Sequence, residues 1–208
     1  MAICYIVGAG DFFGRIDPEQ DDLVIAADGG YDALISHGVA VNLLIGDMDS
    51  LHKLPSDVEM LRFPPEKDYT DTFLAYTEGV KRGYTEFHLY GCTGGREDHT
   101  YANYALLSYA LKNNHRAYLF GDGTLTFTAR NSSFKLFGEE KEYFSLFALG
   151  GSAEVRIEGA KYDVDGAILS PDFPLGVSNE FRSGDVKVTV SSGEIIVMAR
   201  TEKLPVFE

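Results

Sequence analysis

The chain has 208 residues, enough for one large domain or two small ones, and 45% of them are apolar, enough for a real core. Its formal net charge of −14, of which −10 falls in residues 1–125, argues against nucleic acid or an anionic membrane as the main partner. No apolar run is long enough to span a bilayer, the N-terminus lacks a signal-peptide pattern, and two cysteines are too few for a disulfide framework, so a reducing cytoplasm is the expected setting.

Five short apolar runs come first: Ala2 to Val7, Leu23 to Ala27, Val41 to Ile45, Phe87 to Tyr90 and Ala117 to Phe120. Each ends in or just before a glycine, and three of those ends carry an aspartate: Asp28, Asp47 and Asp122. Helical patterns fall between several of them. Tyr31 to His37 is short, with Gly38 as its stop. Thr70 to Arg82 places Phe73, Leu74, Thr77 and Val80 on one face, and Gly83 stops it. Asp98 to Asn113 places Ala102, Ala105, Leu106 and Tyr109 on one face. Strands alternating with helices predict an α/β unit, a mostly parallel sheet with helices on both faces.

The pattern changes near Thr124, and no helix is legible after it. Short alternating runs appear at 124–129, 142–149, 153–157, 186–190 and 195–199, separated by turn signals such as Gly150-Gly151 and Ser191-Ser192-Gly193. This half reads as all-β, a small antiparallel sandwich or barrel. The expected domains are 1–125 and 126–208.

In open α/β sheets, ligands bind beyond the carboxyl ends of the strands. Asp28, Asp47, Asp49, Gly91 and Asp122 belong near that edge. Asp47-Met48-Asp49-Ser50 is the most informative stretch. Just past a strand end its two carboxylates can converge on one hard cation, and magnesium takes one or two carboxylates with phosphate oxygens and water. Alone, the motif also reads as a solvated acidic turn. Gly8-Ala9-Gly10 is not a dinucleotide fingerprint, because Phe13 occupies the third glycine position; it reads equally as a tight turn that approaches a nucleotide and as a purely structural one. Lys67-Asp68-Tyr69-Thr70-Asp71 opens a helix. Asp68 suits its N-cap and Asp71 its dipole, though two aspartates beside a lysine also suit a metal and a phosphate. Gly91-Cys92-Thr93-Gly94-Gly95-Arg96-Glu97-Asp98-His99 combines three glycines, an arginine and a helix start, which favours a phosphate seat. Asp98 there is either N-cap or ligand. Ser178 and Asn179, within Gly176 to Phe181, form a hydrogen-bonding loop that composition alone leaves ordinary.

Taken in order, Ala26-Ala27-Asp28-Gly29-Gly30, Gly46 to Ser50, Asp68 to Thr72, Gly91 to His99 and Gly176 to Phe181 resemble the thiamine pyrophosphokinase family over nearly the whole chain. Each motif alone is weak; the ordered set, α/β before β, is specific. The resemblance implies transfer of a pyrophosphoryl group from ATP to the hydroxyl of thiamine, giving thiamine diphosphate and AMP, with magnesium required. It implies a homodimer whose thiamine pocket lies between one subunit's α/β domain and its partner's β domain. Asp47, Asp49 and Asp71 are then the magnesium carboxylates, with Asp28 in the same acidic cluster. Gly94, Gly95, Arg96 and Asp98 are nucleotide and phosphate contacts, and Ser178 and Asn179 thiamine contacts. Asp71 is the nominated general base, with Asp49 and Asp98 as alternatives. The chain has no tryptophan, so stacking on thiamine falls to a Phe or Tyr, with Phe181 a candidate. The competing readings are a pyrophosphokinase for another hydroxymethyl heterocycle, such as a pterin, and a non-catalytic nucleotide and metal sensor.

Overall fold

The structure, a computed structural model, describes residues 2–48, 58–64, 66, 68–182 and 184–208. The chain divides into two compact units, Met1–Asp122 and Gly123–Glu208. In the first, the apolar runs become β1 (Cys4–Val7), β2 (Leu23–Ala27), β3 (Leu43–Gly46), β5 (Glu86–Tyr90) and β6 (Arg116–Phe120). They are buried nearly end to end, as strands covered on both faces are. One further strand, β4 (Glu59–Arg62), is not legible in the sequence: it is four residues long, begins and ends on a charge, and lies at the sheet edge.

The strand order in this unit is β6-β5-β1-β2-β3-β4, and the described pairs are parallel. The chain lays β1 to β4 outward in one direction, then returns to set β5 on the other side of β1. Connections leaving β1 and β5 therefore diverge, and the crevice between them is the topological switch point where such sheets bind ligands.

Among the described residues three helices cover the sheet: α1 (Gly30–Ser36), α2 (Asp71–Lys81) and α3 (Glu97–Lys112). On one face α1 packs Leu34 with Tyr5, Val7, Val24, Ala26 and Leu44. The opposite face carries α2, with Gly79 so close that a methyl there would lie 2.7 Å from Phe87 Cε1 and 2.8 Å from Cys4 Sγ. The expected inward faces of the two longer helices are rotated in the structure. α2 buries Thr72, Ala75, Tyr76 and Gly79, because small residues let its backbone approach the sheet, and Phe73 instead stacks on Tyr69. α3 buries Asn103, Leu106, Leu107 and Ala110, leaving Ala105 and Tyr109 exposed. No helix among the described residues is long and apolar enough to cross a membrane.

The second unit is all strand among its described residues. β7 (Leu125–Leu136), β8 (Tyr143–Glu158) and β11 (Val186–Ala199) pair antiparallel in the order β8-β11-β7. Short β10 (Asn179–Glu180) and β9 (Val164–Leu169) join β8, and β12 (Val206–Phe207) joins β7. Gly150-Gly151 and Ser191-Ser192-Gly193 do not end strands as expected. Gly150 (φ +67°) and Gly193 (φ +78°) sit inside long strands, and the β8–β11 register shifts between Val190 and Glu194. A bulge bends a strand while pairing resumes beyond it, so two sequence runs become one strand.

Candidate active site

Val7 and Tyr90 are register partners at the carboxyl ends of β1 and β5. The glycine segments that follow them are knitted together. Gly8 N–H donates to Tyr90 O at 2.8 Å, Gly10 N–H to Gly91 O at 2.7 Å, and Asp11 N–H to Thr93 O at 2.9 Å. A Cβ on Gly8, Gly10 or Gly91 would lie 2.6, 2.3 or 2.4 Å from a backbone oxygen of the facing segment. These glycines are required by loop-to-loop contact, which gives Gly8-Ala9-Gly10 a structural role. Gly95 differs: a Cβ there would have Gly10 Cα, at 3.9 Å, as its nearest neighbour. Beside it opens a cavity of about 320 Å³, lined by Gly10, Thr72, Cys92, Gly95, Arg96 and Asn103 among others. Burial pushes the Cys92 thiol up to about 12, so it packs and does not act as a thiolate.

The acidic residues arrive from neighbouring strand ends. Ala27 of β2 pairs with Ile45 of β3, and Asp28 N–H donates to Ile45 O at 2.7 Å. A Cβ on Gly46 would lie 3.3 Å from Asp28 Cα, so Asp28 lies against the Gly46-Asp47 turn. Asp28 (φ +50°) and Met48 (φ +67°) both adopt left-handed backbone. Aspartate tolerates this; methionine does so at a cost, and such conformations recur at functional sites. Asp49 lies outside the described residues, as does Lys67.

Asp71 is the first residue of α2, and the cap before it is Thr70, whose hydroxyl accepts from Phe73 N–H at 3.2 Å. Asp68 is therefore not the N-cap: the helix starts two residues later than the aspartate spacing implies, where threonine caps as well. Thr72, next along, lines the cavity, which brings the α2 N-terminus to the crevice. Among the described residues no three His, Cys, Asp or Glu side chains form a metal cage. Magnesium does not need one, since phosphate oxygens and water fill most of its octahedron. The adjacent Asp28 and Asp47, both hard oxygen donors, fit it by their chemistry.

Position 96, not 98, caps α3: Arg96 is the N-cap residue, without a side-chain cap bond. Asp98, already helical, accepts from Arg96 Nη2 at 2.6 Å, from Arg96 Nε at 3.1 Å and from His99 N–H at 3.0 Å. The Arg96 guanidinium holds the Asp98 carboxyl below its usual range. Gly94 (φ +83°) turns the segment toward the helix, and Gly94, Gly95, Arg96 and Asp98 are exposed at its N-terminus. Sequence reasoning missed Thr72 and Asn103. A signal for Asn103 existed, a lone amide beside Leu106 and Leu107 on what proves to be the buried face.

In the second unit Ser178 is exposed, with φ +58°, and its N–H donates to Ser145 Oγ at 3.0 Å. Asn179 is buried and clamps Tyr162: Oδ1 accepts from Tyr162 N–H at 3.1 Å and Nδ2 donates to Tyr162 O at 2.8 Å. Phe181 is not available for stacking. It is 2% exposed and packs on Phe144 at 5.0 Å, because the strand pairing turns it into the core. Tyr162 is the aromatic that lines an apolar cavity of about 290 Å³, with Leu146, Val155, Leu169, Leu175 and Asn179.

Two family models match the chain in succession. Residues 18–119 match the thiamin pyrophosphokinase catalytic domain, and residues 133–195 the thiamin pyrophosphokinase vitamin B1 binding domain. A thiamine pyrophosphokinase of Bacillus subtilis is 24% identical over 192 residues, which is 88% of this chain and 90% of the relative. Its fold is shared by the crystal structure of thiamine pyrophosphokinase from Bacillus subtilis (TM-score 0.85, 22% identity, 97% of this chain and 100% of that one). The yeast thiamin pyrophosphokinase structure is more distant (TM-score 0.70, 17% identity, 95% of this chain and 85% of that one). With glycine loops at the switch point of the first unit, and a family model matched within each unit, the chain belongs to the thiamin pyrophosphokinase family.

Proposed function

We propose that this chain transfers the pyrophosphoryl group of ATP to the hydroxyl of thiamine, releasing AMP. The observation that carries the reading is the cavity at the β1/β5 switch point, walled by Gly95, Arg96 and the α3 N-terminus. Backbone N–H groups at a helix start suit a polyphosphate, and the arginine adds charge. Asp28, Asp47 and Asp71, with Asp49, would hold magnesium. The ion supplies charge neutralisation on the phosphates, without which an acidic edge would repel ATP.

The reaction asks the protein mainly to position and to hold charge. The thiamine oxygen attacks the β-phosphorus, the bond to the α-phosphate oxygen breaks, and AMP leaves with that oxygen. A carboxylate takes the hydroxyl proton. Asp98 is committed to Arg96 and held at low pKa, which favours an orienting role for it. Asp71, the first residue of α2 and the neighbour of the cavity-lining Thr72, is our assignment as base.

The apolar cavity of the second unit suits the rings of thiamine, with Tyr162 as the stacking surface, Asn179 in its wall and Ser178 next along the chain. Of its lining, Leu175 and Val177 are about half exposed or more. So much apolar rim supports a homodimer in which a partner's surface covers this pocket. Chromatography of the products from ATP, magnesium and thiamine tests the reaction. Thiamine diphosphate and AMP are expected; ADP with thiamine monophosphate, or no transfer, would overturn the reading.

A further inference from the structure

We infer that Asn103 is a positioning residue for ATP: from the second turn of α3 it sets the loop that receives the polyphosphate. The inference rests on the function proposed above. Three successive carbonyls of that loop are each held from outside it. Gly91 O accepts from Gly10 N–H at 2.7 Å, Cys92 O from Asn103 Nδ2 at 2.8 Å, and Thr93 O from Asp11 N–H at 2.9 Å. Asn103 is the side chain in this set, and it is buried. The Cys92 thiol is held as well, donating to Tyr90 O at 3.3 Å.

A peptide plane carries C=O and N–H in opposite directions. Anchoring Cys92 O toward α3 therefore fixes where Thr93 N–H points, and Thr93 lines the cavity. With carbonyls 91, 92 and 93 each engaged in a hydrogen bond, the loop is left to offer amide hydrogens, which is how backbone concavities hold anions. Any buried amide needs a hydrogen-bond partner, so what carries the inference is which carbonyl this one takes. This one bonds the carbonyl between Gly91 (φ +59°) and Gly94 (φ +83°), the stretch whose shape has to be set.

Asn103→Leu keeps the volume and removes the donor; Asn103→Asp keeps the shape and makes the donor depend on pH. ATP affinity is measured by calorimetry, and both KM values by turnover. Asn103→Leu should weaken ATP about tenfold, the usual cost of stranding a buried carbonyl, and leave the thiamine KM within about twofold. For Asn103→Asp the ionised carboxylate repels Cys92 O, while the protonated form donates to it. Its ATP affinity relative to wild type at the same pH should thus recover as pH falls from 8.5 to 5.5, a trend that holds the decision if Asn103→Leu does not fold. Unchanged ATP affinity in folded Asn103→Leu, or a pH-invariant ratio for Asn103→Asp, overturns the inference. Wild-type protein that binds ATP yet forms no AMP would sink the proposed reaction and leave the loop argument standing.

Discussion

Replacing Gly95 and Gly91 by alanine separates glycines kept for the ligand from glycines kept for the fold. At Gly91 the backbone is left-handed (φ +59°) and the new Cβ would lie 2.4 Å from Gly8 O. The conformation costs a residue with Cβ about 1–2 kcal/mol, and forcing two backbones apart about 1–3 more. Gly91→Ala should therefore lose about 2–5 kcal/mol, roughly 4–20 °C in Tm for a chain of this size. At Gly95 no positive φ intervenes, and the nearest atom to a Cβ is 3.9 Å away. Gly95→Ala should hold its stability within about 0.5 kcal/mol, or gain slightly through the unfolded chain. Gly95 lines the cavity and a Cβ there would stand in open space, so a phosphate approaching the bare backbone from that side would meet the methyl. The ATP KM of Gly95→Ala should rise by about ten- to a hundredfold. Thermal melts and steady-state kinetics at saturating thiamine read the two effects separately. A stable Gly95→Ala with wild-type ATP KM would show that polyphosphate does not come to this loop. A loss of Tm as large as that at Gly91 would refute the geometric argument itself.

Asp47→Asn should lower kcat by roughly a hundredfold or more, the scale of removing charge stabilisation from a transition state, with Tm little changed. Normal turnover at limiting magnesium would remove Asp47 from the metal site. Phe181→Ala should cost about 3–5 kcal/mol as a core truncation and leave the thiamine KM of the folded fraction alone. Tyr162→Ala should do the reverse, raising the thiamine KM about tenfold, the scale of one lost stacking contact, at nearly constant Tm; equal effects of the two substitutions on KM would reject Tyr162 as the stacking surface.

The strands of the first unit are legible because burial on both faces leaves continuous apolar runs, and β2 falls on Leu23–Ala27 as the run predicts. Its acidic edge is legible for the same reason: a polar residue after a buried run marks where the strand leaves the core. Helix faces are less so. On α2 the inward face is chosen by closeness, through Ala75 and Gly79, while the bulkier Phe73 and Leu74 lie to the side. Periodicity weighs hydrophobicity and cannot see how near a backbone is brought. The cap at Thr70 and the bulges at Gly150 and Gly193 fail similarly, because each depends on what faces the residue across the fold. Least legible was the switch point. It follows from strand order, and the short charged β4 that completes that order carries almost no sequence signal.

Asn179 shows why belonging to a motif and touching a ligand are separate properties. Its amide bonds both the N–H and the C=O of Tyr162, and its Oδ1 also accepts from Glu180 N–H at 2.9 Å. Aspartate would strand the carbonyl and leucine would strand both groups, so asparagine is demanded by the clamp before any ligand arrives. What the clamp places is Tyr162, at the wall of the apolar cavity. Asn103 stands in the same relation to Cys92 in the other unit. In each case a buried amide side chain fixes the backbone of one residue, by two bonds at Tyr162 and by one at Cys92, and that residue lines the cavity. A substitution at Asn179 should therefore change thiamine binding first through where Tyr162 sits, if the cavity holds thiamine as proposed, and comparing its effect with that of Tyr162→Ala is what distinguishes placement from contact.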